Sequence, residues 1–206
     1  MSIGIIDVGI GNIGSVSNAL YSQGWDPVLV SSTKDFKYLT HLIIPGVGSY
    51  SAAMRLLLDA GLATAIIDFV SQGKPTLGIC LGMQLLSFIG YEGAKTEGLR
   101  LIDGEVMPLK KIKGLNLPHV GWNEVTYKRE HPVLSGIKSG LDFYFVNSFF
   151  FNARNHNDVI ACTDYGQSFP SIIGMNNIIG VQFHPEKSQI NGLRMLDNFC
   201  LWDGVC

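Results

Sequence analysis

The rhythm of apolar positions changes near the middle of the chain. Residues 2–8 form a continuous apolar run. Shorter runs follow at 27–31 (Pro27-Val28-Leu29-Val30-Ser31), 41–45 (His41-Leu42-Ile43-Ile44-Pro45) and 76–79 (Thr76-Leu77-Gly78-Ile79). Each has strand length, and unbroken apolarity marks strands covered on both faces. Between them the period is helical. Ile13, Val16, Ala19 and Leu20 share one face of a helix predicted over 13–24, which Gly24 can end. Helical patterns run through about 50–72, and 81–89 reads as a helix starting directly after the fourth strand. Strands alternating with helices predict a parallel sheet with helices on each side.

After about residue 98 the helical period gives way to short β segments. They lie near 100–107, 119–127, 142–147, 158–162, 171–175 and 178–183, and a last amphipathic helix covers roughly 188–202. No linker, repeat or low-complexity stretch interrupts the chain. The expectation is a single domain over 1–206. Its fold class is α/β, with a mostly parallel, mixed sheet flanked by helices and the β-rich second half extending that sheet.

Composition narrows the classes of function. The chain has 206 residues, is 47% hydrophobic and 16% charged, and carries a net charge of -2. That is ample material for a packed core, and nothing in it favours nucleic acid or an acidic membrane surface. The opening Met1-Ser2-Ile3-Gly4 lacks a basic leader and reads as a first strand, not a signal peptide. No apolar stretch has the length of a bilayer span. Cys80, Cys162, Cys200 and Cys206 are too irregularly spaced for a disulfide framework or a zinc site. A cytoplasmic protein without metal or cofactor is expected.

The most informative segment is Leu77-Gly78-Ile79-Cys80-Leu81-Gly82-Met83-Gln84. Cys80 falls between a buried strand and a helix, with glycines two residues before and after. This has the form of a nucleophile elbow with Cys in place of Ser. A sharp turn would expose the sulfur above the sheet. The missing side chains at Gly78 and Gly82 would permit close packing, and the helix N-terminus would favour a thiolate and an oxyanion. Taken by itself, the same Cys reads equally as a small core hydrophobe.

A second segment changes the balance. Gly180-Val181-Gln182-Phe183-His184-Pro185-Glu186 is an apolar strand ending in His-Pro-Glu. Pro185 is expected to hold the chain extended, so that His184 and Glu186 point to one side. A carboxylate beside a histidine fixes its tautomer and favours the imidazolium. Both segments end strands at the edge where open α/β sheets place their sites. His41, His119, His131 and His156 read as surface or packing residues, and the other three cysteines as structural.

On these residues the chain resembles the class I (triad) glutamine amidotransferases. Narrower features are similar to one branch, the glutaminase subunits of imidazole glycerol phosphate synthases. They are Ile5-Ile6-Asp7-Val8-Gly9-Ile10-Gly11-Asn12, Pro45-Gly46-Val47-Gly48, Leu117-Pro118-His119-Val120-Gly121-Trp122-Asn123, Tyr144-Phe145-Val146 and His184-Pro185-Glu186-Lys187-Ser188. The resemblance covers essentially the whole chain and implies a flavodoxin-like fold. It implies attack of the Cys80 thiolate on the side-chain amide of glutamine, proton transfer by His184 and orientation of His184 by Glu186. Backbone N–H groups of Leu81 and of the Gly46-Val47-Gly48 strand would hold the oxyanion, the latter after reorienting. Gln84 and Glu92 would hold the glutamine head group through side chains, Ser148 and Phe149 through backbone. The implied partner is a (β/α)8-barrel synthase subunit in a heterodimer, met by Asn12, Trp122, Tyr144 and Lys187. It adds ammonia to a phosphoribosyl nucleotide. The family usually has a histidine where this chain has Asn147, and the run Phe149-Phe150-Phe151 is also atypical. That departure keeps a second reading open, a paralogue feeding ammonia to another acceptor, such as a surface sugar.

One motif competes. Gly9-Ile10-Gly11-Asn12-Ile13-Gly14 fits the dinucleotide fingerprint and would make the chain a nicotinamide-dependent oxidoreductase. The end of the second strand offers Ser31-Ser32 where an acid would hold the ribose, and Cys80, His184 and Glu186 would go unexplained. A non-enzymatic assembly module is a third reading, and the intact Cys, His and Glu set argues against it.

Overall fold

A computed structural model describes residues 1–205; Cys206 lies outside them. The first half alternates as the apolar rhythm predicts: β1 (Ile3–Ile6), α1 (Ile13–Ser22), β2 (Val28–Val30), β3 (His41–Ile44), α2 (Tyr50–Asp59), α3 (Leu62–Ser71), β4 (Thr76–Ile79) and α4 (Leu81–Leu85). The second half carries β5 (Ile89–Gly90), β6 (Thr96–Glu97), β7 (Gly104–Pro108), β8 (His119–Tyr127), β9 (Leu141–Asn147), β10 (Phe149–Ala153), β11 (Val159–Asp164), β12 (Ser168–Met175), β13 (Ile178–Val181) and α5 (Gln189–Leu201).

Nine strands form one mixed sheet in the order β2-β1-β3-β4-β13-β12-β11-β8-β9. The β2-β1-β3-β4-β13 part is parallel. From β13 to β9 every pairing is antiparallel. Successive residues of one strand face opposite ways, and each face has its own cover. Ile3, Ile5, Ile43, Leu77 and Ile79 pack with Val16 and Leu20 of α1 and Met195, Leu196 and Phe199 of α5. Ile6, Leu42 and Ile44 pack with Met54 and Leu57 of α2 and Ile66 and Phe69 of α3. This two-sided burial is why β1, β3 and β4 read as unbroken apolar runs; β2, at the sheet edge, was expected to be covered on both faces but leaves Val28 and Leu29 exposed.

Three expectations need correction. The helical stretch 50–72 is two helices, broken at Gly61, whose φ of +68° leaves the right-handed region. The helix predicted over 81–89 ends at Leu85. Its last carbonyls are taken from outside: Leu99 N–H donates to Leu85, and those of Leu101 and Ile102 to Leu86. Finally, the second half does not simply extend the sheet. Four short strands form a separate sheet in the order β10-β7-β5-β6, and Val106 and Phe151 pack it on the α2 and α3 side.

Candidate active site

The chain turns at Cys80 with φ +54° and ψ −107°, far from ordinary backbone for a side chain other than glycine. The turn joins β4 to α4, so the sulfur stands at the C-terminal end of a central strand. Gly78 and Gly82 make the approach possible. A Cβ at Gly78 would lie 2.6 Å from the Gly82 carbonyl oxygen, and one at Gly82 would collide with the Ile44 carbonyl.

β13 lies directly beside β4, with Gly180 opposite Gly78 and Val181 opposite Ile79. The Cys80 N–H donates to the Val181 carbonyl at 2.7 Å. This register brings His184, three residues further on, over the sulfur. The expected extended His-Pro-Glu is not what forms: Pro185–Lys187 is a 3₁₀ turn with Pro185 in its first position. A proline suits that position because its missing N–H has no partner to lose there. The turn still brings the Glu186 carboxylate back to His184, with Nδ1 to Oε1 at 2.8 Å. The side chains of His184 and Glu186 are essentially fully buried. Ser188 braces the turn. Its hydroxyl donates to the His184 carbonyl at 2.6 Å and accepts the Tyr144 N–H at 3.0 Å.

Burial disfavours a charged His184. Hydrogen bonds to Cys80 and Glu186, and their negative charge, outweigh it and lift the ring to about 9. The site therefore favours the imidazolium form of His184, held between a sulfur and a carboxylate.

Cys80 and His184 open onto a cavity of about 250 Å³, lined also by Val47, Gly48, Leu81, Gln84, Glu92, Ser148 and Phe149 among others. Apart from Gly46, every residue expected to hold glutamine or its oxyanion therefore borders one space. The Glu92 carboxylate accepts the Tyr50 N–H at 2.7 Å, which seats it on the first turn of α2. Gln84 gives one amide proton to the Phe149 carbonyl at 3.1 Å and another to Gln182 Oε1 at 3.0 Å. The Leu81 N–H donates to the Gly46 carbonyl at 3.4 Å. In this conformation the two expected oxyanion elements face one another as donor and acceptor.

Two contacts lay outside sequence reasoning. The fully buried Gln182 points its amide nitrogen at Cys80 Sγ, 3.7 Å away. Its signal was an amide inside an otherwise apolar strand. Asn12, expected at the partner surface, donates to Glu186 Oε1 at 3.2 Å. That contact gives the Gly9–Gly14 loop a role beside the carboxylate. The dinucleotide reading needs its third glycine for close helix packing, but a Cβ at Gly14 would meet open space.

The other expected surface residues adjoin the site. The Trp122 ring, 46% exposed, meets Tyr144 edge-on at 5.8 Å, and Lys187 Nζ lies 5.9 Å from the Tyr144 ring centroid. His41, His119 and His131 are buried and His156 is exposed. Among the described residues, no group of three or more His, Cys, Asp or Glu side chains could hold a metal. No helix there is long and apolar enough to cross a membrane.

Comparison with known proteins agrees with this geometry. The family model for class-I glutamine amidotransferases matches residues 4–202. The imidazole glycerol phosphate synthase subunit HisH of Caldanaerobacter subterraneus is 47% identical over 197 residues, 96% of each chain. That of Aquifex aeolicus is 42% identical over 95% of this chain and 94% of its own. A crystal structure of a glutamine amidotransferase superposes with a TM-score of 0.77 over 98% of this chain and 99% of its own; at 18% identity it bears on the fold alone. The chain thus belongs to the class-I glutamine amidotransferases and, within them, to the family of imidazole glycerol phosphate synthase HisH subunits.

Proposed function

We propose that the chain is a glutaminase in which Cys80 attacks the side-chain amide of glutamine. His184, charged at rest, protonates the departing ammonia, and Glu186 and Asn12 hold it in place. Water then releases glutamate from the γ-glutamyl thioester, with His184 acting as base. Gln84, Glu92 and the backbone of Ser148 and Phe149 hold the amino-acid head group. Leu81 and a reoriented Val47–Gly48 segment hold the oxyanion. The observation that carries this reading is the strained Cys80 turn at the wall of a cavity of about 250 Å³, with His184 beside it and the buried Glu186 carboxylate 2.8 Å behind the imidazole.

The ammonia goes to a (β/α)8-barrel synthase subunit bound as a heterodimer, which forms imidazole glycerol phosphate in histidine biosynthesis. Asn12, Trp122, Tyr144 and Lys187 form the face that meets it. The chain acts as a single domain in the cytoplasm. The paralogue reading drew on Asn147, but Asn147 borders the glutamine cavity and bears on the ammonia donor, not on the acceptor. The relatives, which are synthase subunits by name, favour the histidine pathway.

The test is glutamate release from glutamine with and without the barrel subunit. Weak release alone and strong stimulation in complex are expected. Cys80→Ala abolishes release while complex formation survives. Normal turnover by Cys80→Ala would overturn the assignment. A copurifying synthase with another acceptor would overturn the pathway.

A further inference from the structure

His119 and Asn147 face each other as a directly opposed pair on antiparallel β8 and β9, and both are buried. Opposed residues on one face of an antiparallel pair lie within side-chain reach. Each presents one polar atom with no partner: Nδ1 of His119 and Oδ1 of Asn147. Such atoms are costly unless something answers them.

The protons on both side chains can be placed from their neighbours. Asn123 receives the Glu124 N–H on its oxygen and donates its amide nitrogen to the Asp164 carbonyl at 2.9 Å. That nitrogen also faces His119 Nε2 at 3.3 Å, so Nε2 must accept. The ring proton is therefore on Nδ1. Stacking between Tyr165 (4.0 Å) and Phe145 (5.0 Å) fixes the ring plane. Asn147 donates its amide nitrogen to the Phe149 carbonyl at 3.1 Å, which leaves its oxygen as acceptor. The two orphans are thus a donor and an acceptor. Burial lowers the His119 ring, and the Asn147 side chain facing it works in the opposite direction.

The Phe149 carbonyl that Asn147 holds is the one that Gln84 also holds. Ser148 and Phe149 form a wall of the cavity. We propose that His119 and Asn147 are positioning residues: the Nδ1–H of His119 closes onto Asn147 Oδ1 when substrate fills the cavity, and Asn147 thereby sets the Ser148–Phe149 backbone that grips the glutamine head group. His119 is then more than the packing residue its sequence context suggested. The inference rests on the glutamine-site reading above.

The experiment follows alkylation of Cys80 by the chloroketone analogue of glutamine, using the full chain and mass spectrometry of the Cys80 peptide. Half-saturating concentration reports binding, and limiting rate reports chemistry. Asn147→Leu and His119→Leu should each raise the half-saturating concentration about tenfold, with the limiting rate within about twofold. The double variant should be no worse than the poorer single one, because the pair acts as a unit. Asn147→Asp, nearly isosteric, keeps the acceptor and loses the donor. It should also weaken binding, and it serves if the leucine variants fail to fold. Unchanged half-saturation in Asn147→Leu or Asn147→Asp, or single effects that multiply in the double variant, would overturn the proposal. If the wild type is labelled without saturation, or at another residue, the glutamine-site reading fails and this inference falls with it.

Discussion

At the scale of single residues, opposing forces meet on His184. Burial pushes the ring toward neutrality, and Cys80 and Glu186 push it back to about 9. The folded-state value is above the ordinary 6.5, so the stabilisation is complete below about 6.5 and is lost as pH rises through about 9. His131 has the opposite sign. Burial first, and Arg129 second, lower it to about 4, so its contribution is present above about 6.5 and lost as pH falls toward 4. A thermal-midpoint scan should therefore show both limbs, and Glu186→Gln should flatten the alkaline one. An unchanged alkaline limb in that variant would mean that the carboxylate does not hold the imidazolium.

Gln182 supports a second expectation at this scale. Its amide is a second side-chain donor facing Cys80 Sγ, beside His184, and Gln84 fixes its orientation by donating to its oxygen. Gln182→Leu should lower turnover about tenfold or more, as loss of a donor at a reacting centre does. Steady-state glutamate release measures it, and wild-type turnover would remove Gln182 from the mechanism. Cys80, His184 and Glu186 were legible because each sits in a short motif with its own chemistry. The contacts of Gln182 and Asn12 were not, because they depend on which strands become neighbours.

Among the elements, the tightest constraint is where β4 turns into α4. A Cβ at Gly82 would occupy the position of the Ile44 carbonyl on the neighbouring β3. Backbone cannot yield there as a side-chain tip would. Gly82→Ala should lower unfolding free energy by about 2 kcal/mol or more, read by denaturant titration. A loss under about 0.5 kcal/mol would show that the elbow is loosely packed. The glycines flanking Cys80 made this turn readable. The early end of α4 was not readable, since the groups that cap it arrive from 99–102. The second sheet was missed for a related reason. β5 and β6 have two residues each, too few to show a period, and only the pairing of β5 with β7 and of β6 with β5 makes them strands.

For the molecule as a whole, two halves meet at β13. The parallel half places the sulfur at a strand end, and the antiparallel half returns a strand to its side carrying the imidazole. Alternation of apolar runs revealed the first half, because β1, β3 and β4, covered on both faces, leave a continuous signal. The position of β13 next to β4 left no local trace. Its consequence was anticipated only through the joint presence of the Cys and His-Pro-Glu motifs. On the outer surface, Val120, Trp122 and Ile190 are 56%, 46% and 72% exposed. In the proposed heterodimer Trp122, packed on Tyr144, would serve as the aromatic anchor at the centre of the interface. Trp122→Ala should weaken binding of the barrel subunit about tenfold or more by calorimetry. Unchanged affinity would move the interface elsewhere.

The central claim is a covalent one, and it can be read by mass. Acid quenching of the wild-type chain turning over glutamine, followed by digestion and mass spectrometry, should find the Cys80 peptide heavier by one glutamyl group, and Cys80→Ala should carry no such adduct. A wild-type chain that releases glutamate without ever acylating Cys80, or that acylates another residue, would contradict the account.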